Sequence, residues 1–328
     1  MNKYSFDNFI IQCCKAREWE LRKFLKKMLE RAGFTVMEDN YSSSRGGGFS
    51  TVHNMLAIRG NPKVCLVAHT DICRDHVSHF PPKVEPVVKI DTSNGETRSV
   101  IQDRYCQYQV GGDDRLGVAI NTWIATNTGY DMALLFTTDE EIGVVSADYV
   151  RFPELKNFEL LLQVDRGNHS HQLVTRIGGV DLCSEQTGDL LIRISEEIGL
   201  PRYKVNGMLT DVLALKINGF CKNAVNMTCG YHNSYVDDKT EYIDIQEARD
   251  TMKYVASIIQ YYELEDVQNI DDDIEGMMCS LTENPNRLNS FSKNERDLFS
   301  EERYNRDKGW DYDYDNDPDF SDCRGFLG

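Results

Sequence analysis

The segment Val64–Asp71, VCLVAHTD, is a short apolar run that ends abruptly in a histidine and a carboxylate. A run of this length is typical of a buried strand, which delivers His69 to the strand's end. Residues two apart in an extended chain lie on the same side, so Asp71 can support the imidazole of a metal-binding His69. Such a triplet alone occurs by chance in many proteins. Its meaning depends on whether other strands also end in metal-ligating side chains.

The composition is that of a globular protein. The chain has 328 residues, of which 41% are hydrophobic, and no apolar run approaches the length of a membrane span. The N-terminus leads into an amphipathic pattern and not into an apolar signal core. No basic stripe exists to hold a phosphate backbone. We therefore expect neither a membrane nor a nucleic acid as a partner.

The formal charge of −17 is concentrated at the C-terminal end, where 19 acidic and 7 basic residues follow from Glu263 onward. Few aliphatic residues accompany these charges, so the segment lacks the means to build a core. We predict a folded domain over residues 1–265, which the motifs below indicate to be catalytic, and an acidic, partly disordered tail over 266–328. The ten cysteines include no C-x-x-C pair, which favours reduced thiols and a cytoplasmic protein.

Strands and helices alternate along the first part of the chain. We predict strands at 54–58, 64–69, 132–136, 158–164, 173–177 and 224–227, and helices at 6–32, 118–126, 189–198, 209–217 and 243–262. This order predicts an α/β fold of three layers, α/β/α, with a mostly parallel central sheet. Residues 72–112 do not continue the alternation of strands and helices. They are predicted to form a small β-hairpin excursion around Asn94-Gly95. His76 and His79 within it are expected to be exposed loop histidines.

Polar side chains follow four of the predicted strands and open one helix. His69, the pair Glu140 and Glu141, Asp165 and His232 stand at or just beyond strand ends, and Asp113 stands at the start of a helix. Ligands of open α/β sheets gather at the carboxyl ends of the strands. Taken singly, each aspartate could be a helix cap or turn residue, and His69 a structural histidine. A metal site explains all the positions together.

Two histidines and at least three carboxylates suit zinc, with manganese or cobalt as alternatives. One carboxylate shared by two ions would place them about 3.5–4 Å apart, generate a bridging hydroxide and polarise a carbonyl. Such a site also needs a base that is not a ligand. The adjacent acids Glu140 and Glu141 can divide the two roles, because neighbouring side chains point in different directions.

The complete motif set resembles that of the co-catalytic di-zinc exopeptidases, which include peptidase T, related carboxypeptidases and deacylases, and single-domain aminopeptidases. The resemblance runs from about Asn54 to Gln246. It rests on His69-x-Asp71, Gly-Gly-Asp113-Asp114, Asp139-Glu140-Glu141, Asp165 and His232, in that order.

By position, the resemblance implies one role for each of these residues. Metal ligands would be His69, Asp113, Glu141, Asp165 and His232, with Asp113 bridging the two ions. The general base would be Glu140, and Asp71 would orient His69 or the base. The stretch Gly207-Met-Leu-Thr210-Asp211 also resembles a substrate-side segment of a sibling family.

The resemblance implies a metal-dependent exopeptidase, either an aminopeptidase or a di- or tripeptidase, with a peptide or acyl-amino-acid substrate. Only 66 residues separate Asp165 from His232, which favours a compact form without a lid or dimerisation domain. The alternatives are an N-acyl amino acid deacylase, a carboxypeptidase, or a non-catalytic relative that binds metal and peptide. Oligomeric state stays open.

Overall fold

The computed structural model describes residues 5–43, 50–72, 84–90, 97–105, 109–234 and 240–263. The chain divides into two compact units, Met1–Ser290 and Phe291–Gly328, and every described residue belongs to the first. The predicted acidic tail, 266–328, lies outside the described residues, as do His76, His79 and the Asn94-Gly95 turn. The division at residue 265 therefore stays a prediction.

The predicted strands are present in the predicted order, together with further short strands after residue 180 that the sequence pattern did not indicate. The helices are α1 Phe6–Lys15, α2 Glu18–Arg31, α3 Gly112–Asn127, α4 Glu185–Glu197, α5 Asp211–Ile217 and α6 Ile245–Glu263; the strands are β1 Thr35–Ser43, β2 Ser50–Arg59, β3 Val64–His69, β4 Val84–Ile90, β5 Thr97–Asp103, β6 Met132–Thr137, β7 Leu160–Arg166, β8 Gln172–Ile177, β9 Val180–Asp181, β10 Tyr203–Gly207, β11 Ala224–Thr228, β12 Tyr231–His232 and β13 Tyr242–Asp244.

The large sheet has the strand order β1-β2-β6-β3-β7-β11-β8-β10, with β9 added beside β8. The four central strands, β6, β3, β7 and β11, run parallel to one another, and the pairs β1-β2, β2-β6 and β11-β8 on either side of them are antiparallel. Strands β3, β6 and β11 are buried throughout. This confirms the predicted α/β fold, in which parallel strands covered on both faces read as continuous apolar runs.

Helices cover both faces of the sheet. Helix α3 packs on β3 and β7 and against α1 and α6, whereas α5 packs on β7 and β11 from the other side. Every residue of α3 is buried, which explains why this helix lacks a polar face in the sequence. Three layers result, as predicted. Within the described residues, no helix is both long enough and apolar enough to cross a membrane.

The sequence pattern predicts one helix over residues 6–32, and this prediction is wrong. Two helices form instead, because Ala16 and Arg17 both adopt extended backbone angles, with ψ of 142° and 149°. The break lets both helices bury their apolar faces, with Phe9 and Cys13 on α1 and Leu21 and Leu25 on α2.

The predicted excursion contains the expected hairpin, since β4 pairs antiparallel with β5 and Ile90 lies opposite Thr97. The hairpin is part of a second sheet with the order β12-β13-β5-β4. Val100 of β5 lies opposite Asp244 of β13. The excursion therefore joins the segment around His232 into a common sheet, which the sequence pattern did not indicate.

Candidate metal centre

His69 stands at the end of β3 and is completely buried. Its Nδ1 lies 3.0 Å from the backbone oxygen of Asp71 and 3.4 Å from the Asp71 carboxylate. Its Nε2 faces the other way and lies 3.1 Å from Asp113 Oδ1. Asp71 therefore supports the ring from behind, and Nε2 is the nitrogen that can bind a metal.

Asp113 and Asp114 open α3, where their backbone angles are not yet helical and the peptide bond joining them is cis. The two acids differ in their partners. Asp114 accepts the backbone N–H of Gly117 at 3.1 Å, as a helix cap does, and the backbone N–H of His69 at 3.2 Å. Both carboxylate oxygens of Asp114 accept hydrogen bonds from backbone N–H groups. Asp113, whose carboxylate faces the imidazole, is therefore the better candidate ligand.

The turn after β6 presents Glu140 and Glu141. Asp71 accepts the backbone N–H of Glu140 through Oδ1 and that of Glu141 through Oδ2, both at 3.2 Å. The Glu140 carboxylate lies 3.9 Å from His69 Nε2. Burial raises the pKa of Glu140 well above its usual value, although nearby His69 acts to lower it. A carboxyl group with a raised pKa is suited to accept and return a proton near neutral pH.

Asp165 lies on β7 with one carboxylate oxygen, Oδ1, 3.5 Å from His69 Nε2. Its other oxygen, Oδ2, accepts a hydrogen bond from Gln163 Nε2 at 2.9 Å. Burial, and then repulsion from Asp113, raise the pKa of Asp165 to about 8. The site thus binds a proton readily when no other cation offsets its charge.

The structure brings together most of the predicted residues. Two groups of side chains offer ligand atoms within 4.8 Å of one another: His69, Asp113 and Glu141 form one, and His69, Asp114 and Asp165 form the other. Glu140 and Asp71 border both groups. The arrangement fits a centre with one imidazole and several carboxylates, a donor set that suits zinc and manganese.

His232 is the predicted ligand that the described structure does not bring to these groups. Its Nε2 lies 3.0 Å from Glu247 Oε2, and its ring stacks on Tyr242 at 5.0 Å between centroids. The neighbouring Tyr231, and not His232, lines a cavity that Asp113, Glu140 and Asp165 also border, because successive side chains of a strand point to opposite faces. The assignment of His232 as a ligand stays a prediction, and this geometry does not support it.

Several residues at the centre had no signal in the sequence pattern. Glu241, 1% exposed, accepts the backbone N–H groups of Gly111 and Gly112 at 2.8 Å each, and burial raises its pKa to about 7. Glu18 of α2 accepts hydrogen bonds from the hydroxyls of Thr70 and Thr138. These contacts span long stretches of chain, so local periodicity does not reveal them.

The stretch at 207–211 reaches the centre as the resemblance implied. Asp211 is buried, accepts a hydrogen bond from Thr137 Oγ1 at 2.8 Å, and has a pKa raised to about 6 by burial. Met208 and Leu209, 65% and 60% exposed, line a cavity of about 130 Å³. The same cavity is bordered by Asp113, Glu140, Asp165 and Tyr231.

Solved structures share the fold. The aminopeptidase PepT from Bacillus cereus ATCC 10987 has a TM-score of 0.60 at 14% identity, over 80% of this chain and 100% of that one. A tripeptidase from Staphylococcus aureus subsp. aureus Mu50 has a TM-score of 0.60 at 12% identity, over 80% and 99%. The glutaminyl cyclase of Tannerella forsythia has a TM-score of 0.54 at 15% identity, over 79% and 98%.

The protein therefore shares the fold of these solved structures, which include an aminopeptidase and a tripeptidase, and this agrees with the fold that the sequence resemblance implied. No protein-family model matches the chain, and no curated protein sequence matches it significantly. The absence of a lid domain stays a prediction.

Proposed function

We propose that this protein is a metal-dependent exopeptidase, of the aminopeptidase or di- and tripeptidase kind. The observation that carries the proposal is the convergence of four carboxylates on one buried imidazole. Asp71, Asp113, Glu140 and Asp165 lie 3.1–3.9 Å from the ring nitrogens of His69. One imidazolium offsets a single negative charge, so this group of acids calls for further cations.

The surrounding electrostatics support divalent metal ions as those cations. Burial alone would lower the pKa of His69, but Asp165, Asp113 and Asp71 more than offset this and hold it well above its usual value. The residues that would hold these ions are His69, Asp113, Glu141 and Asp165. Zinc suits this mixture of nitrogen and oxygen donors best, and manganese or cobalt are the alternatives.

A bound metal pair supplies Lewis acidity toward the substrate carbonyl and lowers the pKa of water. The chain's own residues supply the rest. Glu140 takes the proton of the attacking water and returns it to the leaving amine, a role that its raised pKa favours. Asp71 keeps Glu140 in place through the backbone N–H of that residue.

A cavity supports access of a substrate to these acids. It has a volume of about 130 Å³ and is lined by Asp113, Glu140 and Asp165 together with Met208 and Leu209. Two proteins of the same fold are an aminopeptidase and a tripeptidase. Short peptides with a free amino group are therefore the proposed substrates.

The proposal is tested with a panel of tripeptides that carry free ends, a blocked amino end or a blocked carboxyl end. The metal-free protein, prepared with a chelator, and the zinc-reconstituted protein are assayed side by side. We expect hydrolysis of the free-amine peptides by the zinc-loaded protein alone. Cleavage restricted to N-acylated substrates would favour a deacylase or carboxypeptidase. Inertness of the metal-loaded protein toward the whole panel would contradict an enzymatic role and favour the non-catalytic relative.

A further inference from the structure

Gln163 lies in the middle of β7, two residues before Asp165, and is completely buried. Side chains two apart on a strand share a face, so Gln163 and Asp165 point toward α5 together. A buried amide is costly unless its hydrogen-bonding groups are used. Its partners therefore indicate what the residue does.

The orientation of the Gln163 amide is fixed by a backbone donor. The N–H of Val212 donates to Oε1 at 3.0 Å, and the hydroxyl of Thr210 lies 2.7 Å from the same oxygen. Because a backbone N–H can only donate, the atom facing Val212 must be the oxygen. The amide nitrogen consequently faces the acids.

The amide nitrogen of Gln163 donates hydrogen bonds to two carboxylates. Nε2 donates to Asp165 Oδ2 at 2.9 Å and to Asp211 Oδ2 at 3.2 Å. Both amide protons and both lone pairs of Gln163 are thereby used. The two oxygens of Asp165 therefore have different partners. Oδ2 accepts a hydrogen bond from Gln163, whereas Oδ1 lies 3.5 Å from His69 Nε2.

We infer that Gln163 is a positioning residue of the metal centre. It fixes the plane of the Asp165 carboxylate so that Oδ1 faces His69 Nε2, where a metal would bind, and it joins this proposed ligand to the start of α5. The residues before α5, Met208 and Leu209, line the cavity, so one side chain aligns the metal ligand with the substrate-facing wall. This inference rests on the proposed function, because it assigns Asp165 to the metal.

The test measures the zinc dissociation constant by competition with a chromophoric chelator. The variant Gln163→Met keeps the length of the side chain and removes all its hydrogen bonds. Loss of a residue that orients a ligand weakens metal binding by roughly 10–100-fold, and we expect a loss in this range. Gln260→Met is the matched control, because Gln260 is 1% exposed and lies on α6; its zinc affinity should equal that of the wild type.

A second variant covers the case in which Gln163→Met fails to fold. Thr210→Val removes the hydroxyl beside Gln163 Oε1 and Asp165 Oδ2 and should weaken zinc binding in the same direction by a smaller factor. Folded variants that bind zinc within twofold of the wild type would overturn the inference while leaving the proposed function intact. A wild-type protein that binds no zinc would instead overturn the proposed function, and this inference with it.

Discussion

Asp71 accepts the backbone N–H of Glu140 through Oδ1 at 3.2 Å, although 69 positions separate the two residues in the chain. The bond joins the end of β3 to the turn after β6, two neighbouring strands of the sheet. The same carboxylate holds Glu141 through its other oxygen and approaches His69 Nδ1. One buried acid thus fixes the proposed base and two proposed metal ligands.

Asp71→Asn should damage both stability and activity. The asparagine amide can accept through one atom only, so one backbone N–H of the Glu140–Glu141 pair would face a second donor. Leaving a buried donor unsatisfied costs about 1–3 kcal/mol, which denaturant unfolding measures. Asp181→Asn, at a side chain that is 72% exposed, is the control and should change neither property. Unchanged stability and turnover in Asp71→Asn would show that this acid does not organise the centre.

Substitution of the two histidines should have unequal effects. His69→Ala removes the imidazole at the middle of both candidate metal groups and should abolish measurable zinc binding. His232→Ala removes a side chain that contacts Glu247 and Tyr242, so zinc affinity should change little. Zinc titration of both variants decides the matter. A large loss of affinity in His232→Ala would restore the assignment made from the sequence and show that the segment rearranges when metal binds.

Removing metal should lower the thermal stability of the protein. Ligands that bind the native state alone add about 2.7 kcal/mol at one hundred times their dissociation constant, which corresponds to roughly 4–5 °C for a chain of this size. The measurement compares melting temperatures with chelator and with excess zinc. The shift should disappear in His69→Ala. A shift of equal size in that variant would mean that zinc binds elsewhere.

The metal-free protein should lose stability as pH rises. Burial raises the pKa of Asp165 from 3.8 to about 8 and that of Glu241 from 4.5 to about 7. Between the unfolded and folded values the native state keeps protons that the unfolded chain has released, so the free energy of unfolding falls with increasing pH. The raised pKa of His69 acts in the same direction.

Unfolding of the metal-free protein should therefore become easier between about pH 4 and 8, as measured by denaturant titration at several pH values. Glu241→Gln removes one titrating group and should flatten the dependence up to about pH 7. A stability that rises across this range would contradict the pKa shifts.

Much of the centre follows from the sequence because parallel strands of one sheet deliver their ends to one edge. His69, Glu140 and Asp165 could be placed together for that reason, before any distance was known. The direction of the His232 side chain could not be predicted. On a strand of two residues, a shift of one residue exchanges the side chain that faces the centre with the one that faces away. Gln163 reads as another residue of a buried strand, and its role depends on contacts with α5, far along the chain.

Glu140 is the proposed base of a metal-dependent hydrolysis. The decisive experiment measures the rate of tripeptide hydrolysis by Glu140→Gln together with the zinc that the variant binds. We expect a zinc content equal to that of the wild type and a rate reduced by about 100-fold or more. A zinc-loaded Glu140→Gln protein that hydrolyses the peptide at the wild-type rate would contradict it.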